Sequence, residues 1–220
     1  MHDHLVRRSD AFDWAPSRGR IRVKDAVSAP LRIMLVDAIP ERLEILAATL
    51  AAAGHRIVAR LSAGADLHSE VIKIDPDVVI IEIDAPDRDI LEDMHAINRE
   101  TPRPIIVFTQ DEDPDLIRAA VKAGVSAYVV GSLDARRVEP VMNVAIARFE
   151  QFQSLQRELT DARTALADRK IIERAKGVLM KQRGMDEAAA YAALRSQAMA
   201  RNLKLVELAR SLVAAAELLA

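Results

Sequence analysis

PDVVIIEIDAP, residues 76–86, sets a short apolar run between the turn residues Asp75-Pro76-Asp77 and Asp84, and it reads as a strand over Val78 to Ile83. On its N-terminal side, Leu31 to Val36 is a similar run ending at Asp37, and Arg56 to Leu61 is another. Between those two, Pro40 opens a helix carried by Leu43, Leu46 and Leu50 that stops at Gly54, with proline in the first turn and glycine past the end. A short helix over Leu67 to Lys73 leads into the quoted strand. On its C-terminal side come a helix over Ile90 to Arg99, a strand over Ile105 to Thr109, a helix over Leu116 to Ala123 ended by Gly124, and a strand over Ala127 to Val130. Strands alternating with helices predict an α/β doubly wound, five-stranded parallel sheet whose site lies at the carboxyl ends of the strands. Those ends carry Asp37, Glu82, Asp84, Thr109 and Tyr128.

After Asp134 the pattern becomes helical, with Pro140 tolerable only in a first turn, and no glycine or further proline follows before Gly177. Phe152, Leu155, Leu159, Ala162 and Leu166 recur at alternating spacings of three and four. This is a heptad seam of about two repeats. It predicts a coiled-coil linker helix over residues 149–167 that pairs two copies in parallel. The plainer reading is a helix packed on its own globular unit.

Residues 168–220 read as a small domain of three helices. The first ends at Gly184, and the second starts at Asp186 as N-cap, buries Tyr191, Leu194 and Ala198, and ends near Asn202. The third runs from about Leu205 with Leu208, Ala209, Leu212 and Ala216 inward. At 100° per residue, Ile172, Ala175 and Leu179 share one face of the first helix, while Arg169, Lys170, Arg174, Lys176, Lys181 and Arg183 spread over the opposite one. Gly177 within that basic arc costs a helix ~1 kcal/mol relative to Ala, which suggests a place of close approach. Met180 falls on the same face, either to lie against an unstacked base or to join the core; Tyr191 is read more readily as core than as a stacking platform. Arg195, one turn from Tyr191, is a further contact candidate.

Charge agrees with this partition. Residues 169–220 hold ten Lys or Arg against five Asp or Glu, and residues 31–168 hold fifteen against twenty-four. The basic end is therefore the part suited to a polyanion. Residues 1–30 show neither a strand nor a helix period and are expected to be a disordered leader, with Phe12 and Trp14 incidental. The chain has no cysteine, so no disulfide or thiolate metal site is available. Its apolar runs fall far below the ~20 residues of a membrane span, and a cytoplasmic protein is expected. No nucleophile with a base, phosphate-binding glycine loop or metal-ligand cluster points to an enzyme, and no cofactor or metal is expected.

LRIMLVD (31–37), PDVVIIEIDAP (76–86), VFT (107–109) and AYVV (127–130) together resemble the receiver domain of bacterial response regulators over residues 31–148. That resemblance implies a flavodoxin-like fold. The departures are informative: Asp37 is followed by Ala38 where receivers carry a second acid, Glu82 stands at the phospho-acceptor aspartate, and Gly131-Ser132 replace lysine and proline. The resemblance thus implies a pseudo-receiver, with Asp37 and Glu82 leaving at most weak Mg²⁺ binding. Glu82 is a fixed phosphate mimic, a relic satisfying its neighbours, or part of a partner-binding surface; the last two are favoured, because one carboxylate lacks the charge and three oxygens of a phosphate.

AKGVLM (175–180) followed by GMDEAAAYAALRSQAM (184–199) resembles the ANTAR domain of transcription antiterminators. With IEIDAPDRD (81–89) in front, the whole is similar to the AmiR/NasT group, nearest its nitrate- and nitrite-assimilation branch. The resemblance implies an RNA-binding antitermination regulator that binds paired stem-loops in a leader mRNA and prevents a terminator from forming. It also implies control by a sequestering nitrate-sensor protein and a homodimer when active. The alternative is a DNA-binding response regulator, which needs a recognition helix; here the second C-terminal helix is alanine-rich, with Arg195 its only cation before Arg201. A protein-interaction adaptor binding no nucleic acid is a third reading.

Overall fold

Six apolar-rich residues, Arg32–Asp37, form β1, and the alternation of their side chains explains why the run is almost unbroken. Ile33 and Leu35 point to one side of the sheet, where Leu43, Leu46 and Leu50 cover them, while Met34 and Val36 point to the other among Leu67, Val71, Met94 and Ile97. The same division holds for Val78 and Ile80 against Val79 and Ile81. A strand buried on both faces has no solvent side to be polar. In this computed structural model, residues 30–62, 64–131 and 135–218 are described. The predicted leader with Phe12 and Trp14, and the positions Ser132 and Asp134, lie outside the described residues.

Chain order is β1, α1 (Pro40–Ala52), β2 (Arg56–Ser62), α2 (Leu67–Ile74), β3 (Val78–Glu82), α3 (Arg88–Glu100), β4 (Ile105–Thr109), α4 (Pro114–Ala123) and β5 (Ala127–Val130). The five strands are parallel in the order β2-β1-β3-β4-β5, the expected doubly wound arrangement. Side chains close the connections: Asp66 accepts from Ser69 N at 2.9 Å to open α2, and Asp87 does the same for Ile90 N in α3 at 2.9 Å. Gly124 ends α4 at φ 96°, and a Cβ there would collide with the Asn98 side chain, so both backbone and packing require glycine. The strand order reverses beside β1 and β3, whose ends meet in register as Asp37 opposite Glu82.

Beyond β5, α5 spans Ala135–Arg183, 49 residues without interruption. Its first turns supply Val138, Met142, Ala145 and Ile146 to the core beneath β1. Pro140 does not sit in the first turn, as the sequence suggested, but inside the helix. The loss of one backbone hydrogen bond near the helix start is tolerated because the neighbouring Val138 and Met142 are anchored in the core. The described residues divide into two compact units, with the division between Gln151 and Phe152.

In the second unit the linker and the first of the three expected helices are one helix, the distal part of α5. It is followed by α6 (Glu187–Ala200) and α7 (Leu205–Leu218). Ala175, Leu179, Ala190, Leu194 and Ala209 form the centre of a small core, closed by Ile171, Ile172, Leu205, Leu208 and Leu212. Gly184 leaves α5 at φ 64° and Asp186 caps α6 by accepting from Ala189 N at 2.7 Å. The end of α6 places Asn202 at φ 53°, with Asn202 N bonded to Met199 O and Leu203 N to Ala198 O. This is a Schellman stop with asparagine in the usual glycine position.

Candidate nucleic-acid interface and receiver pocket

The basic arc of distal α5 separates into two populations. Lys176 is 7% exposed, and its ammonium donates to Glu173 Oε2 at 2.7 Å and to Glu187 Oε1, on α6, at 2.6 Å. These two carboxylates raise its pKa, and Lys176 in turn holds the Glu187 carboxyl below the ordinary glutamate range. Lys176 is therefore corrected from phosphate ligand to the tie between α5 and α6. The geometry was legible: Lys176 lies only about 60° from Leu179 around the helix, at the border of the apolar stripe rather than opposite it. A pairing with Glu187, across a turn, was not.

Arg169, Lys170, Arg174, Lys181, Arg183 and Arg195 are all exposed, and none makes an ion pair or side-chain hydrogen bond with another described residue. Lys170, Arg174 and Lys181 fall with Gly177 within an arc of about 60°. A Cβ at Gly177 would meet nothing within 4 Å, so the chain's own packing does not demand glycine there. The outer face of the helix is open at that point.

Two readings of apolar residues change. Met180 is 39% exposed and outside the small core, so its core alternative is corrected. Tyr191, expected to be buried, is 42% exposed, because Ala190 takes the inward position with Leu194 and Ala198. Tyr191, Arg195 and Met199, four residues apart, then line one exposed face of α6; the sequence reading missed Met199 as part of that row, although its spacing from Arg195 was visible. On the linker part of α5, Phe152, Leu155, Leu159, Ala162 and Leu166 are all exposed.

In the receiver-like unit the strand ends do converge. Asp37 and Glu82 are buried at 4% and 5% exposure. Burial removes the reading of Glu82 as part of a partner-binding surface. Arg42, in the first turn of α1, was missed: its Nε and Nη2 donate to Asp37 Oδ2 and Oδ1 at 3.1 and 2.9 Å, and Nη1 stands 3.1 Å from Glu82 Oε1. The hydrogen bonds to Asp37 and the fields of Glu82 and Asp84 raise the arginine's pKa further. Its position five residues after Asp37, in a helix opened by Pro40, was the available signal.

Thr109 Oγ1 donates to Asp84 O at 2.6 Å and accepts from Asp111 N at 3.1 Å. Tyr128 OH donates to Asp111 O at 3.3 Å, and burial pushes its pKa up. These residues do not suit the Mg²⁺ of a working receiver, because a guanidinium already bridges the two carboxylates that would have to coordinate the ion. Among the described residues no other cluster of His, Asp or Glu is arranged to hold a metal. No described helix is long and apolar enough to cross a membrane.

Comparison with known families and proteins agrees with both halves. The response regulator receiver domain matches residues 33–142 and the ANTAR domain residues 160–213. The transcriptional regulatory protein PdtaR of Mycobacterium tuberculosis is 32% identical over 162 residues, 71% of this chain and 76% of its own. The nitrate regulatory protein of Klebsiella oxytoca is 46% identical over 63 residues, 29% of this chain and 16% of that protein. The aliphatic amidase regulator of Pseudomonas aeruginosa is 28% identical over 114 residues, 51% of this chain and 58% of that protein.

Proposed function

This chain belongs to the transcriptional regulators that join a receiver domain to an ANTAR domain, and from that premise we propose that it is an RNA-binding antiterminator of the AmiR/NasT group. It binds paired stem-loops in a leader mRNA through distal α5 and the exposed face of α6, and the bound transcript cannot form its terminator. The observation that carries this reading is the set of six exposed cations that pair with no described residue, three of them grouped around Gly177. A folded chain that pairs Lys176, Arg210 and Arg42 with carboxylates but leaves these six to solvent has charge in reserve for a polyanion. Gly177 admits a sugar or phosphate to the helix surface. The row Tyr191, Arg195 and Met199 offers an aromatic ring, a planar cation and a soft apolar side chain to unstacked loop bases.

The regulated genes are those of nitrate and nitrite assimilation, a reading supported by the 46% identity with a nitrate regulatory protein. Control comes from a sequestering nitrate-sensor protein in the cytoplasm rather than from a kinase, since Glu82 stands at the acceptor position. The active form is a homodimer through the seam Phe152, Leu155, Leu159, Ala162 and Leu166. Its heptad spacing and exposure suit a second copy of the same helix, and pairing sets two RNA-binding units beside each other. The domain plan follows: a leader over 1–30, a pseudo-receiver over 31–148, a coiled-coil linker over 149–167 and the RNA-binding domain over 168–220.

The test is binding of a two-hairpin leader RNA against duplex DNA of equal length over a series of salt concentrations. Preference for the RNA with a steep salt slope is expected. Equal or stronger binding to the duplex would move the chain to the DNA-binding reading, and no binding to either would leave a protein adaptor.

A further inference from the structure

We propose that Arg42 is the resident cation of the receiver pocket, so that the site is closed to divalent metal and acts as a permanent ionic staple between β1, β3 and α1. Asp37 and Glu82 face each other in register across the parallel pair of β1 and β3, and both are buried. Two carboxylates desolvated side by side raise each other's energy unless a positive charge stands between them. The guanidinium of Arg42 supplies it from the first turn of α1. Its Nε and Nη2 fork onto Asp37 and its Nη1 reaches Glu82, so all three nitrogens are engaged with the pair. A planar fork on a carboxylate is the geometry in which arginine binds best, and it cannot be matched by a point charge.

A Mg²⁺ ion requires near-octahedral oxygens at about 2.0–2.1 Å and would have to occupy the same space. Entry therefore demands that three charge-assisted contacts break together and the guanidinium swing out to solvent. The tethered cation is present at every metal concentration, whereas the ion must be bound from solution.

The rest of the pocket is equally committed. Thr109 has one hydroxyl proton, and it is donated to Asp84 O, while the hydroxyl oxygen accepts from Asp111 N. Tyr128 binds the same loop through Asp111 O. The hydroxyl that faces the strand ends thus has no donor left for an incoming phosphoryl oxygen.

The experiment uses the full chain and compares the native protein with Arg42→Gln and with Arg42→Gln combined with Asp37→Asn. The readouts are thermal unfolding with and without millimolar Mg²⁺ and titration with Mn²⁺ followed by electron paramagnetic resonance. The native protein is expected to melt at the same temperature in either buffer and to leave the Mn²⁺ signal free. Arg42→Gln is expected to lose several degrees in Tm, recover part of that loss with Mg²⁺, and bind Mn²⁺. The double variant removes one buried charge together with the cation, keeps an acceptor for Ile39 N, and is expected to melt above Arg42→Gln without metal. Mn²⁺ bound by the native protein overturns the proposal. So does an Arg42→Gln protein that melts like the native one. If Arg42→Gln does not fold, a double variant that also fails to fold overturns it, and one that folds supports it.

Discussion

Arg42 and Arg174 are the same side chain in opposite circumstances. In the receiver pocket, Arg42 is bound to two buried carboxylates, and the charges of the site are answered within the chain. On distal α5, Arg174 stands on an open face beside Lys170, Gly177 and Lys181, with no carboxylate of the described residues against it. The first site has neutralised itself and the second has not. What marks the second site is the grouping of such charges around the open Gly177, beside a Lys176 that found two glutamates. Lys176 sharpens the contrast because it lies two residues from Arg174 and belongs with Arg42.

The largest expected effect comes from removing the open cluster. Lys170→Ala, Arg174→Ala and Lys181→Ala together are expected to weaken leader-RNA binding ~100-fold, at about 1 kcal/mol or more for each lost phosphate contact, with melting temperature unchanged. The salt slope measured by fluorescence anisotropy should fall by about 2–3. An unaltered slope would dissolve the distinction between the two regions.

Next in size is the linker seam. Glutamates at Leu155 and Leu159 are expected to give a monomer by light scattering. Affinity for a two-hairpin RNA should fall at least about tenfold, through lost effective concentration, while affinity for a single hairpin is retained. Equal losses on both RNAs would mean that the seam serves folding rather than pairing.

Lys176→Met tests the boundary of the open cluster. It is expected to lower the melting temperature of the C-terminal unit, because α5 and α6 lose their ionic tie. Per folded molecule, the RNA salt slope should remain that of the native protein. A slope reduced by about one would return Lys176 to the phosphate contacts.

The smallest effect is in the pH dependence. The Glu187 carboxyl is held below the ordinary glutamate range by Lys176, so the folded state binds its proton less readily than the unfolded one. The stabilisation is present above the ordinary range and is lost as pH falls through the lowered value. Acid titration of unit stability by circular dichroism is expected to show this loss in the native chain and a shallower one in Lys176→Met.

Much of the fold was legible because burial on both faces leaves an unmistakable trace. Val78 to Ile81 and Ile105 to Phe108 are apolar at every position, and Pro40, Asp66, Asp87 and Gly124 mark the helix ends with residues chosen for backbone reasons. Helix faces were less legible. Ala190 and Tyr191 are adjacent in an alanine-rich helix, and periodicity alone favoured the larger apolar ring for the core; the small core shared with Ala175 and Leu179 takes the smaller side chain inward. The same difficulty hid the two ion clusters. Arg42 and Glu82 are forty residues apart, and Lys176 and Glu187 lie on opposite sides of a turn.

The amino-acid sequence by itself determined the alternation of strands and helices, the heptad spacing of the linker, the excess of positive charge at the C-terminal end and the absence of a second acid after Asp37, since each depends on residue type and local spacing. Only the tertiary structure decided which charges are answered and which remain open. The Coulomb and desolvation terms that settle this act between groups brought within about 3 Å by packing; local spacing offers the pairs Arg42–Asp37 and Lys176–Glu173, but the second partners Glu82 and Glu187 come from other elements of the fold.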